Sequence, residues 1–187
     1  MTKEKLNSIF IKELSSNEAY KRALGVVRKN RSGRIWLIGG FVFRTLAYKL
    51  YGCKSPRKDF DFIVEDIIKL LILPKGWQEL ETKFGNPKLK KDNLVIDLIS
   101  LSNIHSIRAR NMKPTIKNFL SGTPLTIQSI AFDVDNQRLI GKIGLRSLKD
   151  KTVGINNREE YKYVYRIYGD LYSVKRFANS LGFKEVR

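Results

Sequence analysis

The sequence predicts an α/β domain built on a mixed sheet, and three stretches carry the prediction. Ile35-Trp36-Leu37-Ile38 is an apolar run of strand length, rich in β-formers, and Gly39-Gly40 breaks it. From there Val42, Phe43, Leu46, Ala47 and Leu50 fall at helical spacing, with Gly52 placed as the stop. Arg57 to Val64 then alternates with period two: a second strand, with Asp59 and Asp61 on one face and Phe60, Phe62 and Val64 on the other. The third stretch is a hairpin, Lys88-Leu89-Lys90 turning at Lys91-Asp92-Asn93 into Leu94 to Leu101.

The remaining elements follow in order. Lys3 to Leu14 puts Leu6, Ile9, Phe10 and Leu14 on one side of an amphipathic helix. Ser15 and Glu18 have the spacing of a capping box, opening a second helix through Ala19, Ala23, Leu24 and Val27. Arg28, Lys29, Arg31 and Arg34 form a basic turn, readable as a solvated loop or as a phosphate contact. Asp66 to Leu73 is expected to be a short apolar helix ended by Pro74; Trp77 to Phe84 fits helix or strand. Asn103 to Lys113 shows no clear period. Pro114 to Leu120, Thr126 to Ala131 and Gly144 to Lys149 read as short helices, with a hairpin around Asp135-Asn136. From Arg158 to Phe183 an apolar helical stripe runs through Val164, Ile167, Leu171, Val174, Ala178 and Leu181, with a break at Gly169-Asp170 and a stop at Gly182. Tyr161, Tyr165, Tyr168 and Tyr172 run beside it: helix-packing surface by the favoured reading, stacking platforms for unpaired bases by the other.

The charge balance narrows the partners. Among 187 residues, 36 Lys and Arg stand against 18 Asp and Glu, a net charge of +18. Such an excess on one small domain repels itself and implies a polyanionic partner, nucleic acid ahead of anionic membrane. No segment is long and apolar enough to span a bilayer, and the opening MTKEKLNSIF lacks a signal-peptide core, so a cytoplasmic protein is expected. Cys53 is the single cysteine, which excludes an intramolecular disulfide and reads as a half-buried loop thiol. His105, the single histidine, reads as a surface residue and excludes a His-pair metal site.

Two aspartates side by side on one strand face repel each other unless a cation sits between them. Hard oxygen donors at this spacing suit Mg²⁺, held by carboxylates together with substrate phosphates. A Gly-Gly turn into a helix supplies the complementary half, with backbone amides that a phosphate can approach and a helix N-terminus that favours negative charge. Asp97 interrupts the apolar run Leu94 to Ile99 and is costly to bury unpaired, so it is either an edge or paired residue or part of this site.

In these residues, Gly39-Gly40, a helix, then Lys58-Asp59-Phe60-Asp61, the chain resembles the nucleotidyltransferase superfamily that includes DNA polymerase β. Within it the sequence is most similar to the head domain of bacterial poly(A) polymerases and CCA-adding tRNA nucleotidyltransferases. The likeness continues at Leu125-Thr126-Ile127-Gln128-Ser129-Ile130-Ala131-Phe132-Asp133 and at Arg176-Phe177-Ala178-Asn179-Ser180-Leu181-Gly182-Phe183, which is similar to the start of the family's neck. The resemblance implies a head domain over 1–155 and a truncated helical neck over 156–187. It implies two Mg²⁺ ions on Asp59, Asp61 and, as third carboxylate, Asp97. It implies a nucleoside triphosphate cradled by Gly39 and Gly40, with Arg44, Arg57 and Lys58 as counter-charges, and an RNA acceptor, a tRNA 3′ end, bound through the basic surface. Alternatives are a toxin-type enzyme that modifies a protein or small-molecule hydroxyl, and a silent RNA-binding module.

The chain also departs from the family pattern. Val42-Phe43-Arg44 stands where the family has Val-Arg-Asp, and Gly122-Thr123-Pro124 where it has Arg-Arg-Asp. Arg166-Ile167-Tyr168-Gly169-Asp170 replaces the Glu-Asp-x-x-Arg that selects the base, so C-C-A addition in order is not expected.

Overall fold

The computed structural model describes residues 2–55, 59–82 and 84–186. Two helices lead, α1 (Lys3–Ser16) and α2 (Glu18–Lys29). Leu6, Phe10 and Leu14 form the buried side of α1, as their spacing predicts. The cap between the helices is Asn17 and not Ser15. The Asn17 side chain accepts from Tyr20 N, whereas Ser15 Oγ donates back to Lys12 O inside α1. An N-cap needs extended backbone, and α1 runs helical through Ser16.

The strand that carries the apolar run, β1 (Arg31–Ile38), begins ahead of it. The basic turn expected at Arg31 and Arg34 is therefore a strand, because both arginines find carboxylates there. Arg34 Nη2 lies 2.9 Å from the buried Asp133 Oδ2, and Arg31 Nη2 lies 3.8 Å from Asp135 Oδ1. The next helix, α3 (Gly39–Tyr51), follows with no linker and ends at Gly52 in the left-handed conformation. Then β2 (Asp59–Ile67) shows the expected alternation, with Phe60, Phe62 and Val64 fully buried.

Asp66 to Leu73 is not a helix. Asp66 and Ile67 complete β2, and residues 68–74 run without helix or strand. The physical reason is Asn30, a buried side chain 42 residues away from Ile72. Its Nδ2 donates to Val26 O and Ile72 O, its Oδ1 accepts from Ile72 N, and its own carbonyl accepts from Ile68 N. Backbone groups that a helix satisfies internally are satisfied here from outside.

After β3 (Gln78–Glu81), the hairpin of β4 (Pro87–Lys91) and β5 (Leu94–Ser100) forms as expected, turning through Asp92 at φ 52. The segment without a period contains α4 (His105–Ala109), and α5 (Ile116–Gly122) follows it. Thr126–Gln128 is a single 3₁₀ turn, so the helix expected to Ala131 is cut short by β6 (Ala131–Asp133), which hairpins with β7 (Arg138–Ile140). Beyond them come α6 (Lys142–Asp150), β8 (Thr152–Val153), α7 (Arg158–Tyr168), α8 (Val174–Leu181) and β9 (Lys184–Glu185).

Seven strands among the described residues form one sheet, in the order β3-β4-β5-β2-β1-β6-β7. It is mixed: β2 and β5 are parallel, and the other neighbours are antiparallel. One face packs on α1 to α3 around Phe10, Phe41, Phe60, Phe62, Ile96 and Leu98. The other is covered only in part, by α4 and α5, around Trp36, Ile63, Ile107 and Leu120. The uncovered end of that second face holds the acidic residues. At the C-terminal side, α8 buries Val174, Ala178 and Leu181, and β9 pairs in parallel with β8. α7 buries no residue fully.

Candidate active site

Strand alternation sends Asp59 and Asp61 to the second face, and the parallel register sets Asp61 opposite Asp97 and Asp59 opposite Val95. Three carboxylates thus face the same side of two neighbouring strands. The Asp61 carboxyl is pushed up to about 7 by burial first, then by the charges of Asp97 and Asp59; Lys88 pulls the other way. The hairpin register puts Lys88 across from Asp97, and its Nζ stands 3.3 Å from Asp97 Oδ1. That oxygen accepts no hydrogen bond. Among the described residues no three acidic, histidine or cysteine side chains are already gathered as a metal site.

The Gly-Gly turn abuts this cluster. Gly39 has φ +73, and a Cβ on it would fall inside the envelope of the Asp61 carboxylate. Gly40 is different: a Cβ there would meet only Arg44 Nε, at 3.8 Å. α3 begins with no side-chain cap. Its first turn therefore opens, at Gly40 and Phe41, into a cleft of about 940 Å³ that has the three aspartates on its floor. Arg44 also lines the cleft and donates from Nη1 to Ser180 Oγ at 3.4 Å. Arg57 and Lys58 lie outside the described residues. Sequence reasoning missed three cations that line the same cleft: Lys54, Lys88 and Arg176. Lys88 depended on the turn length: the observed two-residue turn, Asp92-Asn93, sets it opposite Asp97, whereas the three-residue turn expected over 91–93 sets Pro87 there. Lys54 and Arg176 come from a loop and from α8, and no periodicity points to them.

A second cleft of about 390 Å³ continues along the same face beyond Ile63 and Ile99. Its walls are aromatic, including Phe84, Phe119, Tyr163 and Tyr168. Tyr172 lines this cleft, within electrostatic reach of Asp61. Its hydroxyl accepts from Gln128 Nε2, and burial raises its pKa, with the charges of Glu160 and Asp61 adding to the effect. The tyrosine stripe is therefore divided: Tyr161 and Tyr172 pack, while Tyr165 and Tyr168 are 38% and 39% exposed. His105, expected at the surface, is partly exposed and engaged by two neighbours. Its ring stacks on Tyr163 at 3.6 Å, and its Nδ1 lies 2.9 Å from Glu160 Oε2. Cys53 is half-buried, as expected, with Sγ donating to Leu181 O.

No family model matches the chain, and no curated protein matches it. Solved structures do. A CCA-adding enzyme in complex with CTP is 18% identical with a TM-score of 0.63, covering 100% of this chain and 44% of that one. The Bacillus stearothermophilus CCA-adding enzyme in complex with CTP is 14% identical with a TM-score of 0.62, covering 91% and 41%. A tRNA nucleotidyltransferase complexed with a primer tRNA and an incoming ATP analog is 23% identical with a TM-score of 0.53, covering 82% and 44%. The chain spans less than half the length of each of these proteins. At these identities the likeness is one of fold: the mixed sheet and its helices resemble the polymerase β-type nucleotidyltransferase head of CCA-adding enzymes, as the motif resemblance implies.

Proposed function

We propose that this chain is a nucleotidyltransferase that moves a nucleotide from a nucleoside triphosphate to the 3′ hydroxyl of an RNA, with a tRNA 3′ end as the acceptor. One observation carries the reading: three carboxylates on parallel-registered strands, wedged against a Gly-Gly turn at an uncapped helix N-terminus, in a cleft rimmed by cations. By this reading residues 1–155 are the head and 156–187 a neck, and the enzyme works in a reducing cytoplasm.

The donor set fits Mg²⁺ in its chemistry, since all its atoms are hard oxygens and burial leaves Asp61 short of positive charge. Asp59, Asp61 and Asp97 would hold the two ions. When bound, such ions lower the pKa of the attacking hydroxyl and neutralise the triphosphate and leaving pyrophosphate. The chain's own residues do the rest. Gly39 and Gly40 let the triphosphate approach the amides of α3, with Arg44, Arg57 and Lys58 as counter-charges and Lys54 and Arg176 facing it across the cleft. The aromatic cleft lined by Tyr172 takes the base, stacked against Tyr168. No Asp-x-x-Arg pair reads that base: the Asp170 carboxylate accepts from Tyr165 Oη at 2.7 Å.

The experiment is incubation of the purified chain with each labelled nucleoside triphosphate, Mg²⁺ and total RNA, followed by sequencing of the reacted 3′ ends. Label on tRNA ends that Asp61→Asn abolishes supports the reading. Label on protein supports the toxin-type alternative, and no label with intact RNA binding supports the silent module. Faithful C-C-A completion would show that other residues select the base.

A further inference from the structure

The helix-covered face of the sheet carries a further concave feature, on the side away from the carboxylates. It is a cleft of about 270 Å³ between α2 and the β4–β5 hairpin, and Arg22, Lys29, Lys91 and Trp77 line it. Its cations are uncompensated. Lys21, on the same helix, pairs with Glu18, and Lys49 pairs with Glu13. By contrast, no carboxylate among the described residues forms an ion pair with Arg22, Lys29 or Lys91. Lys91 is held in place by a hydrogen bond from Nζ to Lys75 O at 3.1 Å. Three positive charges bordering a half-buried indole are the composition of a site that tracks a nucleic-acid backbone and stacks a base.

The position of the cleft links it to the active site. Leu94 lines it, while the next residue, Val95, lines the acidic cleft, so the two open on opposite faces at the same end of the sheet. The hairpin between them is positive on both faces. Lys90 is opposite Val95 and Lys91 is opposite Leu94. An RNA strand with its 3′ end at the aspartates would have this lysine-bearing hairpin beside it.

We propose that the cleft of Arg22, Lys29, Lys91 and Trp77 is a second nucleic-acid-binding site. It takes the phosphates of the acceptor RNA upstream of its 3′ end, with an unpaired base against Trp77. The inference rests on the RNA reading above and adds where the body of the RNA is held. RNA is favoured over an anionic membrane because the cations converge into a concavity. The exposed Leu70 and Ile72 nearby, which a membrane would use, do not line it.

The test is equilibrium binding of the whole chain to a labelled single-stranded oligoribonucleotide and to labelled tRNA across a salt series. Wild type is compared with the triple variant Arg22→Ala, Lys29→Ala, Lys91→Ala. The triple variant is expected to lose at least tenfold in affinity, and the slope of log affinity against log salt is expected to shrink by about 2, for three contacts at about 0.7 each. RNA is expected to quench tryptophan emission in the wild type and Trp77→Phe to remove that quench, the other tryptophan, Trp36, being buried. Addition to a dinucleotide acceptor, too short to round the end of the sheet, is unchanged in the triple variant. Should that variant melt early, the pair Arg22→Gln, Lys29→Gln leaves Lys91 and its bond in place and loses affinity in the same direction. Wild-type affinity and slope in the variants overturn the proposal, as does a loss confined to phosphatidylserine vesicles measured in parallel. A chain that extends no RNA yet shows these binding losses retains this site and refutes the transferase reading.

Discussion

Gly39 and Asp61 are packed so closely that the glycine's missing side chain is what makes room for the carboxylate. Gly39→Ala therefore carries two penalties, a left-handed backbone costing about 1–2 kcal/mol and a displaced Asp61. It is expected to lower both melting temperature and transfer rate. Gly40→Ala has space for its methyl group, so its stability is expected to stay within about 1 kcal/mol of wild type. If a triphosphate uses that space, Gly40→Ala raises KM for the nucleotide without lowering the melting temperature. Thermal melts and nucleotide kinetics on the two variants check the pair, and a Gly40→Ala enzyme with unchanged KM removes the phosphate role.

The Asp61 carboxyl, at about 7 against an ordinary 3.8, sets a pH dependence whose sign follows from proton counting. Between these values the folded chain keeps a proton that the unfolded chain has released, so stability falls as pH rises through roughly 4 to 7 and then levels. Three pKa units correspond to an upper bound of about 4 kcal/mol, shared over the carboxylate cluster. Asp61→Asn is expected to flatten this decline in metal-free buffer. Urea melts across this range read the difference between the two proteins; parallel curves would contradict the assignment.

Lys88 is the resident counter-charge of the cluster, 3.3 Å from Asp97 and opposing the upward push on Asp61. Lys88→Met is expected to lower the metal-free melting temperature and to enlarge the stabilisation given by added Mg²⁺. A thermal-shift titration with Mg²⁺ decides it. An unchanged Mg²⁺ response would mean that the ion does not use Asp97.

Asn30 anchors the 68–74 segment through hydrogen bonds to Val26 and Ile72. Asn30→Ala leaves buried backbone groups unpaired, and is expected to cost about 2–3 kcal/mol in urea unfolding. Limited proteolysis is expected to open the chain first near Ile72. A loss below about 0.5 kcal/mol would show the anchor to be dispensable.

The same asparagine explains where the sequence misleads. Periodicity identified β1, α3, β2 and the β4–β5 hairpin, since each is decided by residues within its own span. Residues 68–74 have a helical composition, but a side chain from the end of α2 claims their backbone, and no local pattern announces it. Arg31 and Arg34 read as a basic turn, solvated or phosphate-binding, because their partners, Asp135 and Asp133, lie about 100 residues downstream. The acidic pair was legible for the opposite reason: alternation alone puts Asp59 and Asp61 on one face. The placing of Asp97 beside them depends on the parallel pairing of β2 and β5, a long-range choice that the sequence suggested only through its resemblance to a known motif.

The pairing of β9 with β8 has a consequence for motion. The excursion through α7 and α8 starts beside Asn156, whose side chain donates to Leu120 and Thr123 carbonyls, and returns where Lys184 N donates to Lys151 O. It is a closed loop of roughly thirty residues, a length at which adding or removing a few residues barely changes the entropy of closure. With both feet fastened, these helices can flex but cannot swing away as an arm would. Opening the aromatic cleft then means bending within the loop. The place with room for it is Gly169, where α7 stops at φ 57, ψ −142, a backbone conformation open to glycine, with nothing within 4 Å of a side-chain position.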